Sequence, residues 1–454
     1  MIKSLKSLKS LESLESQQSL KSQQSQQSLK SLKSLKSQKS LKSLKSQKSL
    51  KSLKSQETIK FWQFGCWNNL NTKDGKILGC LNDVIELINT RSNPEENKPD
   101  FLIVSGDNYY PDKNKSKGNK TIAVKEKIIY SEKLKRGIAS LPEKIKINMI
   151  LGNHDLETNS EDNLYIESLE TPEKKDCQII QLELEALKTK KNLDYFFFKS
   201  QLLNNDTLLL MIDTTIYDED ASTYLPCYNH FFKHNMFYSS TPLLFDSIIT
   251  LRSYQLNRIM KAIKTNTYIK YLIIVGHHPI YQLKNKTEDK QVRVKYTSEI
   301  HGNFAPVLRS IYKILQDKTK YYYLCSDLHL YQKGIIEIIS EEPKSTMKIQ
   351  QYIVGTGGTK LDDPLPLPLD TEKIYTKNHV TYTLQEERNE CGFLECIISI
   401  SSEPSFQFIA TTPSVVGGKK YKTRTKKFKS KAKKYKTKTK KFKSKAKNIK
   451  TIKH

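Results

Sequence analysis

The chain has 454 residues and a formal net charge of +28, and most of that charge lies at its two ends. Residues 1–55 hold thirteen Lys and two Glu, and residues 419–454 hold nineteen Lys or Arg and no acidic residue, so subtracting both from +28 leaves −2 for residues 56–418. This central stretch is long enough for one large domain or two modest ones. No run of eighteen apolar residues occurs in the sequence, so no membrane span is expected.

The two basic ends have low-complexity sequences. Residues 2–55 repeat Ser, Leu, Lys and Gln with a period of three, which fits neither a helical stripe nor a strand face. Residues 419–454 contain two copies of a fourteen-residue unit, at 421–434 and 435–448, with an aromatic residue every seven positions. We predict disordered tails at 1–55 and 419–454 around a domain at 56–418. The aromatic-basic tail could bind nucleic acid or another polyanion, or be only a solvated polycation.

The sequence also suggests a cellular location. The first residues are polar, so no signal peptide is expected. The seven cysteines are sparse and odd in number, which does not resemble a disulfide framework, so a reducing, intracellular location is expected. Richness in Lys, Asn, Ile and Tyr is typical of an A/T-rich coding genome, such as that of a protist or a giant DNA virus. A viral or host-cytoplasmic location would follow.

Five short apolar runs in the central stretch each stop at a residue of a metal-ligand type. Each run predicts a buried strand. In open α/β sheets, ligands lie beyond the carboxyl ends of the strands, so the five strand ends could deliver their side chains to one crevice, as a two-metal hydrolytic site requires. The runs are 61–65, 101–106, 147–152, 273–276 and 321–326, and they precede Cys66, Asp107, Asn153 with His154 and Asp155, His277, and Asp327 with His329.

Helical patterns lie between these strands, so the sequence predicts a layered α/β sandwich. Helices are predicted at 76–90, 254–263 and 307–315 from apolar residues on one face. Further strands are predicted at 195–199 and 208–213, in a second sheet, and at 350–354 and 393–399. Surface insertions are predicted at 156–192 and 284–295, and a loop at 355–390.

Each candidate residue also has a plainer interpretation. Asp107 with Tyr110 offers a carboxylate that can bridge two cations and a phenol that can ligate a hard ion, but an Asp at a strand end also forms Asx turns. His154 beside Asp155 could be an oriented general acid or a loop histidine. His277 could be a ligand or a core residue. Cys66 alone is more typical of a small buried hydrophobic residue than of a ligand.

Taken together, the motifs resemble those of the purple acid phosphatases, the dinuclear branch of the calcineurin-like metallophosphoesterases, and in particular the tartrate-resistant acid phosphatases. The likeness covers about 59–360, without either tail. It implies a four-layer αββα sandwich with two mixed sheets. The motifs that carry it are Gly-Asp-x-x-Tyr at 106–110, Gly-Asn-His-Asp at 152–155, Ile-Val-Gly-His at 274–277, Glu-Ile-His-Gly at 299–302, Tyr-Leu-Cys at 323–325 and the helix at 252–261.

The resemblance implies a role for each matching residue and two metal ions, which could be iron, zinc or manganese. Asp107 would bridge both metals, Tyr110 and His329 would hold the first, and Asn153 and His277 the second. His154 and His301 would flank the phosphate and help protonate the leaving alkoxide, while a metal-bound hydroxide attacks. Two positions depart from the family: Cys66 replaces an Asp at the first metal, and Asp327 replaces a His at the second. A Cys66 thiolate would favour zinc over ferric iron.

The function implied is a metal-dependent phosphoesterase of the acid phosphatase kind, acting on phosphate monoesters. Two alternatives remain open. The first is a weakened or inactive homologue that acts as a polyanion-binding protein through its basic tails. The second is a nuclease-like phosphodiesterase that the tails bring to nucleic acid. The family name does not fix the substrate.

Overall fold

The computed structural model describes the chain from residue 58 to residue 411, with gaps. The tails and most of the insertion predicted at 156–192 lie outside the described residues. No helix among the described residues is long and apolar enough to cross a membrane. The described residues are 58–68, 72–73, 76–77, 79–108, 110, 135–156, 189–233, 243–288, 291–297, 300–340, 345–365, 373–377, 380–400 and 402–411.

Strands and helices alternate along parts of the chain, as the apolar runs predict, whereas the elements described at residues 320–410 are all strands. The α-helices of the described residues include α1 (Leu81–Arg91), α2 (Asn153–Leu156), α3 (Leu225–Lys233), α4 (Ile248–Thr265) and α5 (His301–Leu315). The strands are β1 (Thr58–Phe64), β2 (Thr72–Lys73), β3 (Lys76–Ile77), β4 (Phe101–Ser105), β5 (Lys146–Ile150), β6 (Leu193–Tyr195), β7 (Phe198–Leu202), β8 (Thr207–Ile212), β9 (Tyr271–Val275), β10 (Gln282–Glu288), β11 (Gln291–Thr297), β12 (Lys320–Cys325), β13 (Tyr331–Ser340), β14 (Ser345–Val354), β15 (Lys373–Lys377), β16 (Val380–Arg388), β17 (Gly392–Ser399) and β18 (Ser405–Ala410).

Two mixed sheets form the framework, so the predicted α/β class with two mixed sheets is confirmed. The first sheet has the order β18-β17-β1-β4-β5-β6, and the second has the order β15-β16-β13-β14-β12-β9-β8-β7. In the first sheet β1, β4, β5 and β6 are parallel, and in the second β8, β9, β12 and β14 are parallel. The carboxyl ends of these strands therefore gather at one edge of each sheet.

Alternation along the strands builds two buried clusters. Phe61 and Ile103 of the first sheet share one cluster with Ile273 and Leu324 of the second, which forms the layer between the sheets. The intervening residues, such as Trp62, belong with the apolar faces of α1, α4 and α5 to a second cluster. Because both faces of the central strands are covered, these strands read as continuous apolar runs in the sequence.

Several predicted elements are confirmed with shifted bounds, and some predictions are wrong. The five ligand-bearing strands are β1, β4, β5, β9 and β12, and the three helices are α1, α4 and α5. The insertion predicted at 284–295 is the hairpin β10–β11, and the loop predicted at 355–390 contains β15 and β16. The strand predicted at 195–199 is split, since β6 ends at Tyr195 in the first sheet and β7 begins at Phe198 in the second.

The odd, sparse cysteines do not resemble a disulfide framework, but the structure pairs some of them. Cys80, just before α1, forms a disulfide with Cys391, between β16 and β17, across 311 residues of sequence. Cys227 is disulfide-bonded as well, whereas Cys66, Cys325 and Cys396 are free and buried. Disulfides persist mainly in oxidising compartments, and the reducing, intracellular location expected from the sequence stays a prediction.

Candidate metal centre

The ends of the parallel strands from both sheets meet at one place. At this edge the side chain of Ser105, the last residue of β4, and that of Ser326, which directly follows β12, hydrogen-bond to each other across the sheets. Gln63 of β1 donates from Nε2 to Ser105 Oγ at 2.6 Å and to the Cys325 carbonyl at 3.3 Å. The two sheets are thus fastened together directly beneath the residues predicted as ligands.

Backbone conformation marks the same residues. Among the described residues, the non-glycine residues with positive φ are Cys66, Asp107, Asp327 and Gln316. The first three are predicted metal ligands, each one residue beyond the end of its apolar run. A left-handed conformation costs about 1 kcal/mol or more for such residues, and it clusters at functional sites where the surroundings enforce it. The turn lets each strand end redirect its side chain toward the crevice.

Two glycines make room for this crowding. Gly106 has φ 89°, and an added Cβ there would lie 2.5 Å from His277 Nδ1. A Cβ on Gly152 would lie 2.4 Å from the Asp107 amide nitrogen. Neither position can carry a larger residue without moving a predicted ligand.

The two carboxylate oxygens of Asp107 have separate sets of partners. Oδ2 accepts a hydrogen bond from Tyr110 Oη at 2.7 Å and lies 3.6 Å from Cys66 Sγ. Oδ1 lies 3.1 Å from His277 Nε2 and accepts a hydrogen bond from the His154 amide at 3.1 Å. Asp107 is completely buried, so it stands between two groups of candidate ligands, each facing one of its oxygens.

The group around Oδ2 contains the residues that the resemblance assigns to the first metal position. The ligand atoms of Cys66, Asp107 and His329 all lie within 4.8 Å of one another. Tyr110 Oη lies 3.2 Å from His329 Nε2. Burial, followed by the charge of Asp107, raises the pKa of the Cys66 thiol. A nearby cation would oppose both effects, since a coordinating thiol is deprotonated.

The group around Oδ1 contains the residues that the resemblance assigns to the second metal position. The Nδ1 of His277 donates to the Ser105 carbonyl at 2.8 Å, which leaves Nε2 to face the crevice. Nε2 lies 3.0 Å from Asn153 Oδ1, 3.1 Å from Asp107 Oδ1 and 4.0 Å from Asp327 Oδ1. A metal-binding histidine usually has this arrangement, with the remote ring nitrogen donating to a backbone carbonyl.

The charges of Asp107 and His277 in the second group favour a bound proton or cation between them. Burial alone would raise the pKa of Asp107, but His277 and His154 outweigh it, and the pKa of Asp107 lies well below its usual range. Burial alone would lower the pKa of His277, but Asp107 outweighs it and raises that pKa to about 10. A buried ring nitrogen surrounded by oxygen acceptors must hold either a proton or a metal ion. The residues present therefore fit a divalent metal.

The structure also reveals a support residue that the sequence analysis missed, Asn108. Its Nδ2 donates to the Ile150 carbonyl at 2.9 Å and to Asp155 Oδ2 at 2.8 Å, and its Oδ1 accepts from Trp67 Nε1 at 3.1 Å. Asp155 accepts further bonds from the Gly152 amide at 2.8 Å and the Asn108 amide at 2.7 Å. Asp155 thus ties the Asn153 turn to the Asp107 turn, a bracing role that the predicted pairing with His154 did not include.

The two predicted acid residues lie at the ends of helices. His154 is half-buried within α2, and its ring centroid lies 4.9 Å from that of Tyr110. His301 is the first residue of α5, and its side chain lies outside the described part of the chain. Arg252 donates from a guanidinium nitrogen to Asn303 Oδ1 at 2.9 Å, and Asn303 donates to the Tyr217 carbonyl at 2.9 Å. These contacts fix the start of α5.

A single segment, residues 355–365, braces the first group of ligands. The Gly357 and Thr359 amides donate to the carbonyls of Gly65 at 3.1 Å and Cys66 at 3.0 Å. The Asp362 amide donates to the His329 carbonyl at 3.0 Å, and Asp362 Oδ2 accepts from the His329 amide at 3.2 Å. Cys66 and His329 are therefore held by one short stretch of backbone.

A match to a family model identifies the protein class. Residues 59–331, more than half of the chain, match the model described as calcineurin-like phosphoesterase. The chain belongs to the calcineurin-like phosphoesterase family. Membership implies divalent metal ions and phosphate-ester substrates for this phosphoesterase. All five ligand-bearing strand ends lie within the matched residues.

Solved structures resemble the phosphoesterase only distantly. A purple acid phosphatase from yellow lupin (Lupinus luteus) seeds shares 11% identity and a TM-score of 0.43 over 79% of this chain and 52% of its own. A PhoD structure shares 11% identity and a TM-score of 0.45 over 80% and 74%. The phosphoesterase thus spans about half the length of the lupin protein. No curated protein matches the chain. Likenesses this remote do not determine a substrate.

Proposed function

We propose that this phosphoesterase resembles the purple acid phosphatases in activity and hydrolyses phosphate monoesters at a dinuclear metal centre. The observation that supports the proposal most is the division of the Asp107 carboxylate, whose two oxygens face two separate ligand groups. A bridging carboxylate between two metals has this geometry. Cys66, Tyr110 and His329 would hold the first metal, and Asn153, His277 and Asp327 the second.

The chain's own residues would bind and protonate the substrate beside this centre. Metal ions held there would act as Lewis acids on the phosphoryl oxygens and would lower the pKa of the attacking water. His154, half-buried at the edge of the centre, would donate a proton to the leaving alkoxide, and His301 at the start of α5 would help to bind the phosphate. The fixed start of α5 would keep the distance between these two histidines constant.

Cys66 is the position at which the proposal is most easily tested. If its thiolate ligates the first metal, Cys66→Ala should lower the affinity for that metal by more than about 10²-fold. Mutating a residue that only contacts a metal ligand already lowers metal affinity by about 10- to 100-fold. Cys66→Asp should restore a hard ligand and shift the preference from zinc toward iron. With ferric iron beside Tyr110, a phenolate-to-iron absorption band should appear. Metal content and turnover of an aryl phosphate monoester would be measured for both variants.

A matched control is available in Cys325, which is also free and buried and lies at the end of β12. Cys325→Ala should leave metal content unchanged. If Cys66→Ala also retains two metals per chain with the affinity of the parent chain, Cys66 is only a packed hydrophobic residue. Preference for a diester over a monoester would instead favour the nuclease-like alternative.

A second candidate function rests on the tails. The nineteen Lys or Arg residues in 419–454 carry no compensating acid, whereas residues 56–418 are nearly neutral. We therefore propose that the C-terminal tail binds polyanions, and nucleic acid is one candidate. This role would hold for an active enzyme and for the inactive homologue alike.

The tail proposal predicts a steep dependence on salt. Binding of the full chain to DNA should weaken by about 10³-fold or more between 50 and 200 mM salt if six or more phosphates are contacted. Titration at two salt concentrations, with DNA and with a polyanion that is not a nucleic acid, measures this effect. A chain that lacks 419–454 is the control. Binding that is insensitive to salt, or that survives the deletion, would contradict the proposal.

A further inference from the structure

Asp327 stands where the family resemblance places a histidine, and a carboxylate there raises a geometric problem. An imidazole offers one ring nitrogen to a metal, whereas a carboxylate offers two equivalent oxygens and can rotate. The structure shows the two oxygens in different surroundings. Oδ1 lies 4.0 Å from His277 Nε2, toward the second ligand group, and Oδ2 accepts a hydrogen bond from Gln282 Nε2 at 3.3 Å.

Gln282 is itself held firmly by its neighbours on the chain. It is 2% exposed and is the first residue of β10. On one side, Gln351 accepts from the Ile280 amide at 2.8 Å and donates to the Tyr281 carbonyl at 2.6 Å. On the other side, Gln332 donates to the Leu283 carbonyl at 2.8 Å and accepts from the Leu283 amide at 3.3 Å. The Gln282 backbone is therefore fixed before any ligand binds.

The side-chain amide of Gln282 is only partly hydrogen-bonded. Its Oε1 is buried without a hydrogen-bond partner among the described residues. Leaving a buried polar atom unpaired is costly, so a polar residue at this position requires a reason other than stability. Its donor group meets Asp327, a residue with positive φ that is predicted to ligate the second metal.

We propose that Gln282 is a positioning residue for Asp327, holding Oδ2 so that Oδ1 is presented to the second metal. Outer partners of this kind fix the orientation of a metal-binding side chain. The inference rests on the proposed dinuclear function and deepens it. Gln282 then compensates for the presence of Asp327 in place of the family's histidine. The second metal position is thus a functional variant of the family's metal site.

A double-mutant cycle tests this pairing. Gln282→Met keeps the volume of the side chain but removes the hydrogen-bond donor. It should lower the affinity for the second metal by about 10- to 100-fold and leave the first metal bound. In the Asp327→His background the same substitution should have little effect, because the imidazole does not need the amide. Chelator competition on the full chain, with metals per chain and the melting temperature recorded, measures both arms. Gln332→Met is the matched control, since it loosens the same segment without touching Asp327.

The outcomes separate the two proposals. Parent-like affinity in Gln282→Met, or equal losses in both backgrounds, overturns the role of Gln282. Equal losses in Gln282→Met and Gln332→Met overturn it too, because they would indicate general loosening of the segment. If Gln282→Met does not fold, Gln282→Glu is used in its place. Repulsion between Glu and Asp327 should then lower the affinity for the second metal. A parent chain that binds fewer than two metals overturns the dinuclear function itself, and with it this inference.

Discussion

Asp107→Asn should abolish the binding of two metals and reduce phosphoester hydrolysis by on the order of 10³-fold or more, a loss at least as large as that from removing one transition-state contact. The substitution keeps the shape of the side chain but replaces a charged bridge with a neutral amide, which is a poor ligand for two cations at once. Both ligand groups depend on this residue, since one oxygen faces Tyr110 and Cys66 and the other faces His277. Metals per chain and turnover would be measured together.

The control for this variant flanks the same strand. Asp100 immediately precedes β4, at the end opposite to Asp107, and its side chain accepts a hydrogen bond from the Lys60 amide at 2.8 Å. Asp100→Asn should retain both metals and the parent activity. Two metals bound with parental affinity in Asp107→Asn would show that the assignment of the bridging ligand is wrong.

Removing the Cys80–Cys391 disulfide should lower the free energy of unfolding by about 2–5 kcal/mol. The bond closes a loop of 311 residues, so its loss frees a large part of the unfolded chain. Chemical denaturation of Cys391→Ala under oxidising conditions measures the change. The site should also loosen, because the Gly392 amide beside Cys391 donates to the Thr356 carbonyl at 3.2 Å, in the segment that braces Cys66.

Cys396→Ala separates the effect of the bond from that of a lost side chain. Cys396 lies in β17, five residues beyond Cys391, and is a free, buried thiol. Cys396→Ala should leave the first metal bound, whereas Cys391→Ala should lower both the affinity for that metal and the free energy of unfolding. If Cys80 and Cys391 of the native chain react with an alkylating reagent without prior reduction, the disulfide is absent and the prediction is wrong.

The sequence predicted the central strands well because they are buried on both faces. β4 and β9, for example, appear as short, uninterrupted apolar runs, and their length of five residues favours a strand over a helix. β15 and β16 were missed because their sequences mix charged, polar and apolar residues without a clear alternation. The disulfide was missed because pairing across 311 residues leaves no local signal in cysteine spacing.

Some residues of the candidate site could likewise be predicted from the sequence, and others could not. Asp107, Tyr110, Asn153 and His277 follow apolar runs within short motifs, so their approach to one another could be inferred from the strand ends alone. Asn108 and Gln282 could not, because each acts through a contact between segments far apart in the chain. Cys66 was ambiguous in the sequence, and its contact with Asp107 Oδ2 and its positive φ distinguish it from an ordinary core cysteine.

The two departures from the family pattern have different structural settings. Cys66 keeps the strand-end position and faces the same oxygen of Asp107 as Tyr110 does, so it can replace an aspartate as a softer ligand. Asp327 keeps its position with the help of Gln282, which no histidine would require. A phosphoesterase with an altered metal preference is consistent with both observations.

The proposed dinuclear centre is tested most directly by the metal content of the purified chain, measured by elemental analysis after removal of loosely bound ions. Two metals per chain, reduced to one or none in Asp107→Asn, are expected. One metal or none in the native chain would contradict a dinuclear phosphoesterase and would favour the inactive homologue that acts through its basic tails.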